Sequence, residues 1–366
     1  MLPKLAKQCL FTLQDAGFQS YAVGGCVRDA LLGRPIHDID IATDARPGQV
    51  MALFPHVIPT GLAHGTVTVL LEGEPFEVTT FRSESGYSDG RHPDAVCFET
   101  DIVADLSRRD FTINAMALDL DGNLIDPFGG QVDLERRLLR CVGEPERRFA
   151  EDSLRILRAV RFAAQLGFEL EAKTLEAMIT LRAGLQLVSA ERVREELAKI
   201  LLTQHLAQGN LLFSLDLFGF SGDLTNFSHY PPQLLPRLAA FCAQGGDASL
   251  SRQLKWDKRI CAAIETAAVL AQSPPLSEAD WRRVIGRYGE MASLALAGWL
   301  GIPDIFEQVN LQVFPRSASE LAVSGADLLA LGLVGEEIGA AQRQLLERVW
   351  LNPMENRREQ LLASLS

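Results

Sequence analysis

The run Tyr21 to Thr43, YAVGGCVRDALLGRPIHDIDIAT, constrains the fold more than any other stretch of the chain. Tyr21-Ala22-Val23 is short, apolar and β-prone. It ends at Gly24-Gly25, where a missing Cβ permits a tight turn and lets a ligand approach backbone N–H groups. Cys26 to Leu32 is predicted to be a helix, ended by Gly33, with Arg28 in its first turn. A helix N-terminus with free N–H groups beside an arginine suits a polyphosphate. After Pro35, His37-Asp38-Ile39-Asp40-Ile41-Ala42 alternates with period two, which predicts a strand with Asp38 and Asp40 on one face. Two carboxylates without a local lysine repel each other unless a cation lies between them, and a hard divalent metal is the natural partner. Such a pair can hold magnesium ions for in-line phosphoryl or nucleotidyl transfer. A D-x-D pair alone is more simply a solvated edge-strand face. The GG-x-x-RD turn just before it favours the metal site.

Gly24-Gly25-Cys26-Val27-Arg28-Asp29, Leu32-Gly33 and Asp38-Ile39-Asp40 resemble the first motif of the class II tRNA nucleotidyltransferases, the CCA-adding enzymes, and of the related bacterial poly(A) polymerases. The resemblance implies that Asp38 and Asp40 hold Mg²⁺ as the catalytic carboxylates and that Gly25 and Arg28 hold the triphosphate of CTP or ATP.

Composition sets outer bounds. With 366 residues, 47% hydrophobic and 22% charged, the chain is an ordinary globular protein with room for two or more domains. No apolar run approaches the ~20 residues of a membrane span, and the amphipathic N-terminus reads as a helix of the mature protein. Six scattered cysteines without C-x-x-C spacing fit reduced thiols in the cytoplasm and argue against structural zinc. A net charge of −12 is awkward for a nucleic-acid binder, but Glu135 to Arg161 carries eight arginines against five acids, a locally basic segment.

Along the chain, residues 5–16 are predicted to be a first helix, and Arg46-Pro47-Gly48 opens another. Strands over 65–71 and 76–81 flank the turn Glu72-Gly73-Glu74-Pro75 as a β-hairpin. Glu77 is the candidate third carboxylate, being the only acid inside its strand. Arg82 to Asp105 has no steady period and reads as one long loop. In the resembling family a flexible loop here switches C addition to A addition, and Gly86 to Pro93 is present in full.

Arg108-Arg109-Asp110-Phe111-Thr112-Ile113-Asn114-Ala115 matches the family's second motif. It implies that Arg109 contacts the incoming nucleotide, while Asn114 remains available to hold a ligand or the loop. Asp126-Pro127-Phe128-Gly129-Gly130 with Asp133 matches a third, turn-like motif that couples the sheet to the following helices.

Arg148 to Phe162 reads as one helix, in which Asp152, Arg155, Arg158 and Arg161 recur every third residue along a slowly drifting ridge. Cytosine and adenine both present an amino donor beside a ring-nitrogen acceptor. Asp152 could accept from the amino group while Arg155 donates to the ring nitrogen. Uracil and guanine reverse that pattern and would be rejected. An isolated E-D-x-x-R would be a surface ion pair worth a few tenths of a kcal/mol; its position after the two earlier motifs favours the base-selecting role. By resemblance, Arg158 and Arg161 also contact the nucleotide or its phosphates.

Beyond Phe220 the signal weakens. Helices are predicted near 233–244, 250–272, 277–300 and 336–363, and Ser324 to Arg358 resembles the family's tail, where Arg343, Arg348, Arg357 and Arg358 could grip tRNA backbone. The expected architecture is α+β: a nucleotidyltransferase-like head with a small mixed β-sheet (1–140), then an all-α neck (141–205), body (206–310) and tail (311–366). The expected reaction is addition of C, C and A to the tRNA 3′ end from CTP and ATP with release of pyrophosphate. The rivals are an enzyme adding only the terminal A, a poly(A) polymerase, and a non-catalytic RNA-binding relative. No membrane partner is expected, and the oligomeric state stays open.

Overall fold

The computed structural model describes residues 2–36, 38–85 and 95–365. The chain divides into two compact units, Met1–Ser189 and Ala190–Ser366.

In the first unit, α1 (Lys4–Asp15) buries Ala6, Cys9, Leu10 and Leu13, the three-and-four spacing of an amphipathic helix. The Ser20 hydroxyl donates to the Leu10 carbonyl at 2.9 Å and ties α1 to β1 (Ser20–Val23). There follow α2 (Gly25–Leu31), β2 (Asp40–Thr43), α3 (Pro47–Leu53), β3 (Val57–Gly61), β4 (Thr66–Leu71) and β5 (Glu74–Thr80). Next come β6 (Arg82–Ser85), β7 (Ala95–Phe98), α4 (Ile102–Ser107), β8 (Ala117–Leu118), β9 (Leu124–Ile125), α5 (Gly130–Glu135) and β10 (Leu138–Leu139). The unit closes with α6 (Pro145–Glu151), α7 (Leu154–Leu166), β11 (Glu169–Leu170) and α8 (Ala172–Thr180).

Seven strands form one sheet in the order β3-β4-β5-β2-β1-β8-β9. β2 and β5 run parallel and the other neighbours antiparallel, so the sheet is mixed as expected. The β4–β5 hairpin turns through Glu72 and Gly73, both at positive φ, which matches the right-handed twist of the paired strands. Val23, Ala42, Phe81, Ile102, Leu106, Ala115, Ala117 and Val142 form a buried cluster of this unit.

Two sequence expectations need correction here. The stretch 82–105 is not one loop: β6 and β7 pair antiparallel from Arg82↔Phe98 to Ser85↔Ala95, and α4 follows. The Arg-Ser-Glu-Ser strand carries no apolar alternation, and α4 is a six-residue helix started by Asp101, whose carboxylate accepts from Val103 N at 3.0 Å; neither leaves a periodic signal. Residues 86–94, which hold the proposed switching loop, lie outside the described residues. Second, Arg148 to Phe162 is not one helix. Asp152 leaves helical geometry (φ −147°, ψ 103°) and its Oδ1 accepts from Leu154 N at 3.0 Å, so the residue ends α6 and starts α7. An aspartate that caps backbone N–H groups competes with helix continuation.

The second unit is helical: α9 (Ala190–Leu201), α10 (Leu206–Gly209), α11 (Leu234–Gly245), α12 (Leu250–Gln253), α13 (Lys258–Leu270), α14 (Glu278–Leu300), α15 (Pro303–Asn310), α16 (Gly325–Ala330), α17 (Glu336–Leu351) and α18 (Arg358–Ala363). The helix expected over 250–272 is interrupted at Lys255, whose φ is 55°, and the one expected over 336–363 is broken between α17 and α18, where Pro353 cannot donate to the preceding turn. α14 packs against α11, α13, α15 and α17 and bends at Gly289 (φ 80°). Arg282 on α14 donates to the carbonyls of Trp350 (2.8 Å) and Leu351 (3.3 Å), satisfying acceptors that the end of α17 leaves open. Arg348 pairs with Glu355 and Arg358 with Asp327, so two of the arginines expected to grip tRNA are held by local acids. Among the described residues no helix is long and apolar enough to cross a membrane.

α14 crosses α11 at Gly298, where an added Cβ would fall 2.7 Å from Pro236 Cα. Gly298→Ala is expected to lower stability by about 1–3 kcal/mol, the usual cost of overpacking, read as a reduced urea midpoint; an unchanged midpoint would show that α11 and α14 can separate freely.

Candidate active site

The site is built where α2 leaves β1 and where β2 runs beside β5. Gly24 has φ 79° and ψ −132°, a conformation that a side chain would strain, and its N–H donates to the Met116 carbonyl at 3.3 Å. A Cβ there would lie 2.8 Å from Arg109 Nη1 and 3.7 Å from Asp40 Oδ2, so the bare backbone of Gly24 is the point on which Arg109 and Asp40 converge. α2 then starts at Gly25, and its first N–H groups have no intrahelical acceptor.

Hydrogen-bonded strand β2 begins only at Asp40, later than the sequence pattern predicts. Burial nevertheless alternates from exposed Asp38 through buried Ile39 to half-buried Asp40 and buried Ile41, which keeps both aspartates on one side. Glu77 pairs directly with Asp40 across the parallel β2–β5 ladder. Burial pushes the Asp40 carboxyl above its ordinary range; Arg109 opposes the shift, while Glu77 and Asp38 add to it. Three carboxylates whose charges oppose one another, all offering hard oxygen donors, fit a divalent cation. Among the described residues no group of three or more His, Cys, Asp or Glu side chains stands close enough to hold a metal ion as it is.

Arg109 is the cation whose charge opposes the rise of the Asp40 carboxyl. Its Nη2 donates to Asp105 Oδ2 at 3.3 Å, and its Nε is buried with no hydrogen-bond partner. Asp105 is fully buried and also accepts from Arg108 Nε and Nη2 at 3.0 and 2.9 Å; burial alone would raise its carboxyl, but the charges of Arg108 and Arg109 hold it below the usual range.

A second network runs from α2 to α7. Arg28 donates to Asp29 through Nε (3.0 Å) and Nη2 (2.9 Å), and to Asn114 Oδ1 through Nη1 (2.8 Å). Asn114 Nδ2 donates to Asp110 Oδ1 at 3.3 Å, and Arg158 donates to Asp110 Oδ2 through Nε (2.8 Å) and Nη2 (2.6 Å). Asn114, expected to be available to hold a ligand or the loop, bridges Arg28 and Asp110. Asp110 is the residue that sequence reasoning passed over. It stood inside the second motif, but nothing in the sequence shows that it is buried or that its partner lies 48 residues away. Burial alone would raise its carboxyl; the charge and hydrogen bonds of Arg158, with Arg155 and Asn114, bring it down to about 2.

The remaining predicted residues fan out along α7. Arg155 donates to Glu151 Oε2 at 2.8 Å and to the Arg148 and Arg108 carbonyls at 3.2 Å, which ties the α6–α7 junction, and with it Asp152, to the residue before Arg109. Arg161 donates to Gln165 Oε1 at 3.0 Å. In the third motif, Asp126 accepts from Gly130 N (2.7 Å) and Gln131 N (2.9 Å), and Asp133 accepts from Thr112 Oγ1 (2.6 Å) and Arg140 Nε (2.9 Å), which ties Asp133 to the second motif.

Comparison with known proteins decides the family. A profile described as the poly A polymerase head domain matches residues 20–140, and one described as a probable RNA and SrmB-binding site of polymerase A matches residues 167–220. A CCA-adding enzyme of Lactobacillus delbrueckii subsp. bulgaricus is 41% identical over 96% of this chain and 94% of its own length. The chain belongs to the CCA-adding enzyme family, the class II tRNA nucleotidyltransferases. It is thus a nucleotidyltransferase. The CCA-adding enzyme of Lactiplantibacillus plantarum is 38% identical over 98% of this chain and 94% of its own length. A solved structure of the Bacillus stearothermophilus CCA-adding enzyme in complex with CTP is 33% identical, covers 100% of this chain and 97% of its own, and superposes with a TM-score of 0.82.

The depressed carboxyl of Asp110 makes a measurable prediction for this nucleotidyltransferase. A folded-state pKa below the unfolded one adds stability that is present above about pH 4 and is lost as pH falls towards 2; the shift is worth about 2 kcal/mol at neutral pH. Asp110→Asn should lower stability near pH 7 by roughly that amount or more, and the gap to the parent should close as pH falls from 4 towards 2 in urea titrations; a pH-independent gap would contradict the ion pair.

Proposed function

We propose that this enzyme adds C, C and A in turn to the 3′ end of tRNA, with CTP and ATP as nucleotide donors. The observation that carries the reading is the register of Asp40 with Glu77 beside Gly24 and Arg109. The tRNA 3′-hydroxyl attacks the α-phosphate of the nucleotide, forming the new phosphodiester as the bond to pyrophosphate breaks. Asp38 and Asp40, with Glu77 as third carboxylate, would hold divalent cations, for which Mg²⁺ fits the all-oxygen donor set. Bound there, the cations would supply charge neutralisation on the phosphates and acidify the attacking hydroxyl, the two-metal arrangement.

The chain's own groups do the rest. Gly25 offers backbone N–H to the triphosphate, and Arg28, Arg158 and Arg161 carry positive charge towards it. Arg109, with a buried donor unused, turns to the incoming nucleotide. Asp152 and Arg155 choose the base, accepting from the amino group and donating to the ring nitrogen that C and A share. The head, neck, body and tail divisions at 140, 205 and 310 belong to this reading, with tRNA gripped by body and tail. Six free cysteines support a reducing compartment, the cytoplasm.

Transcripts of tRNA ending before CCA, after C and after CC, each incubated with labelled CTP or ATP, test the proposal. C is expected on the first two, a single A on the third, and then arrest. Label only on the CC-ended transcript would identify an A-adding enzyme, unlimited A addition a poly(A) polymerase, and no label at all would dismiss the reading. Asp40→Asn should cut incorporation at least about a hundredfold without lowering stability. The Asp40 carboxyl is raised in the fold, so its favourable contribution exists at low pH and is lost as pH rises through the folded value; at pH 7 the ionised group is a cost, and metal-free denaturation should find the variant no weaker than the parent.

A further inference from the structure

Phe162 lies on α7 with 5% of its surface exposed, and three guanidinium groups surround its ring. Arg161 stands 3.9 Å from the centroid, Arg28 5.3 Å and Arg158 5.4 Å. Arg158 and Arg161 come from the same helix, whereas Arg28 comes from α2, 134 positions away in the chain. The ring is itself fixed edge-on by Phe111, at 5.7 Å and 78°, in the second motif. Asp29 pairs with Arg28 at 2.9 Å and Asp110 with Arg158 at 2.6 Å.

We propose that Phe162 is a positioning residue for nucleotide binding: its π-face gathers Arg28, Arg158 and Arg161 into one cationic cluster that receives the triphosphate of either substrate. Three like charges drawn to one centre repel, Asp29 and Asp110 each offset one of them, and an aliphatic side chain of similar size in place of the ring would add no attraction at the centre. An aromatic face attracts each guanidinium by cation–π interaction, most strongly where water is excluded. It does so without a formal negative charge, so the ring adds nothing to the partial neutralisation that Asp29 and Asp110 already give Arg28 and Arg158, whereas a carboxylate at the same place would cancel more of the charge left for an incoming polyphosphate. The triphosphate is common to CTP and ATP, so the ring should affect both alike, whereas a change at Asp152 or Arg155 should act through the base. The inference rests on the reading of Arg28 as a triphosphate ligand in the proposed function.

The test replaces Phe162 by pentafluorophenylalanine, which keeps the ring's shape but reverses its quadrupole, and uses Phe162→Leu and Phe162→Tyr as ring-lacking and ring-keeping comparisons. Inorganic tripolyphosphate binding is measured by calorimetry, and KM and kcat for CTP and ATP by single-nucleotide incorporation, on full-length protein whose folding is checked by thermal unfolding. The pentafluoro and Leu forms should bind tripolyphosphate on the order of tenfold more weakly and raise KM for CTP and ATP by the same factor with kcat little changed, and Phe162→Tyr should behave as the parent. Arg28→Gln serves as the reference. If Arg28→Gln weakens tripolyphosphate binding but the pentafluoro form does not, the role of the ring is overturned and the triphosphate reading stands. If neither weakens it, both are overturned. A larger effect on one nucleotide than on the other would also overturn the proposal.

Discussion

Charge repulsion around Asp40 sets the terms for the rest of the first unit. Asp40 sits half-buried at the start of a central strand with Glu77 opposite it and Asp38 before it, and its carboxyl is raised in consequence. A fold tolerates such an arrangement only if other contacts outweigh it, and strain kept at a functional site is a recurring pattern. Here the compensation is local: Asp40 lies on a strand flanked by β1 and β5, above a core of Val23, Ala42 and Phe81. Among the described residues Arg109 brings the counter-charge that lowers the Asp40 carboxyl, and Arg109 is in turn held by fully buried Asp105.

The acids therefore divide into two kinds. Asp105 and Asp110 are more buried than Asp40, yet both are held below the ordinary carboxylate range because arginines meet them directly. Asp40 has one arginine nearby and two acids against it, and moves the other way. Burial alone would raise all three; the partner decides the sign. The two depressed acids fix arginines in place, and the raised one gains most from a cation. The direction of the shift thus sets the two acids held by arginines apart from the one proposed to hold metal, although all three residues are aspartates within 70 positions of one another.

Much of this was legible in the sequence where a short-range pattern carried it. Gly24-Gly25, the D-x-D alternation and the hairpin around Glu72-Gly73 are local signals, and each structure element they predict is present within a few residues. What escaped was contact at long separation. Asp110 meeting Arg158 and Arg28 meeting Asn114 depend on tertiary packing that no spacing encodes. The break at Asp152 escaped for a different reason: apolar residues on both sides keep helical period, and only the side chain's competition for Leu154 N–H ends one helix and starts the next.

That break bears on the base choice proposed for Asp152 and Arg155. In an unbroken helix Asp152 would lie on the same cylinder as Arg155, with both side chains leaning towards the N-terminus and free to turn through several rotamers. At the junction, Asp152 is instead outside helical geometry, with one carboxylate oxygen fixed on Leu154 N, while Arg155 is fixed by Glu151 and two carbonyls. Two groups immobilised before a ligand arrives lose little entropy on binding it, and they cannot rotate to satisfy a base of the wrong pattern. Discrimination by hydrogen bonding is steepest when the site cannot adapt, because a mismatched donor or acceptor then stays unpaired. For the base-selecting role proposed for Asp152 and Arg155, a helix break between the two residues is thus better suited than the continuous ridge that their spacing suggests.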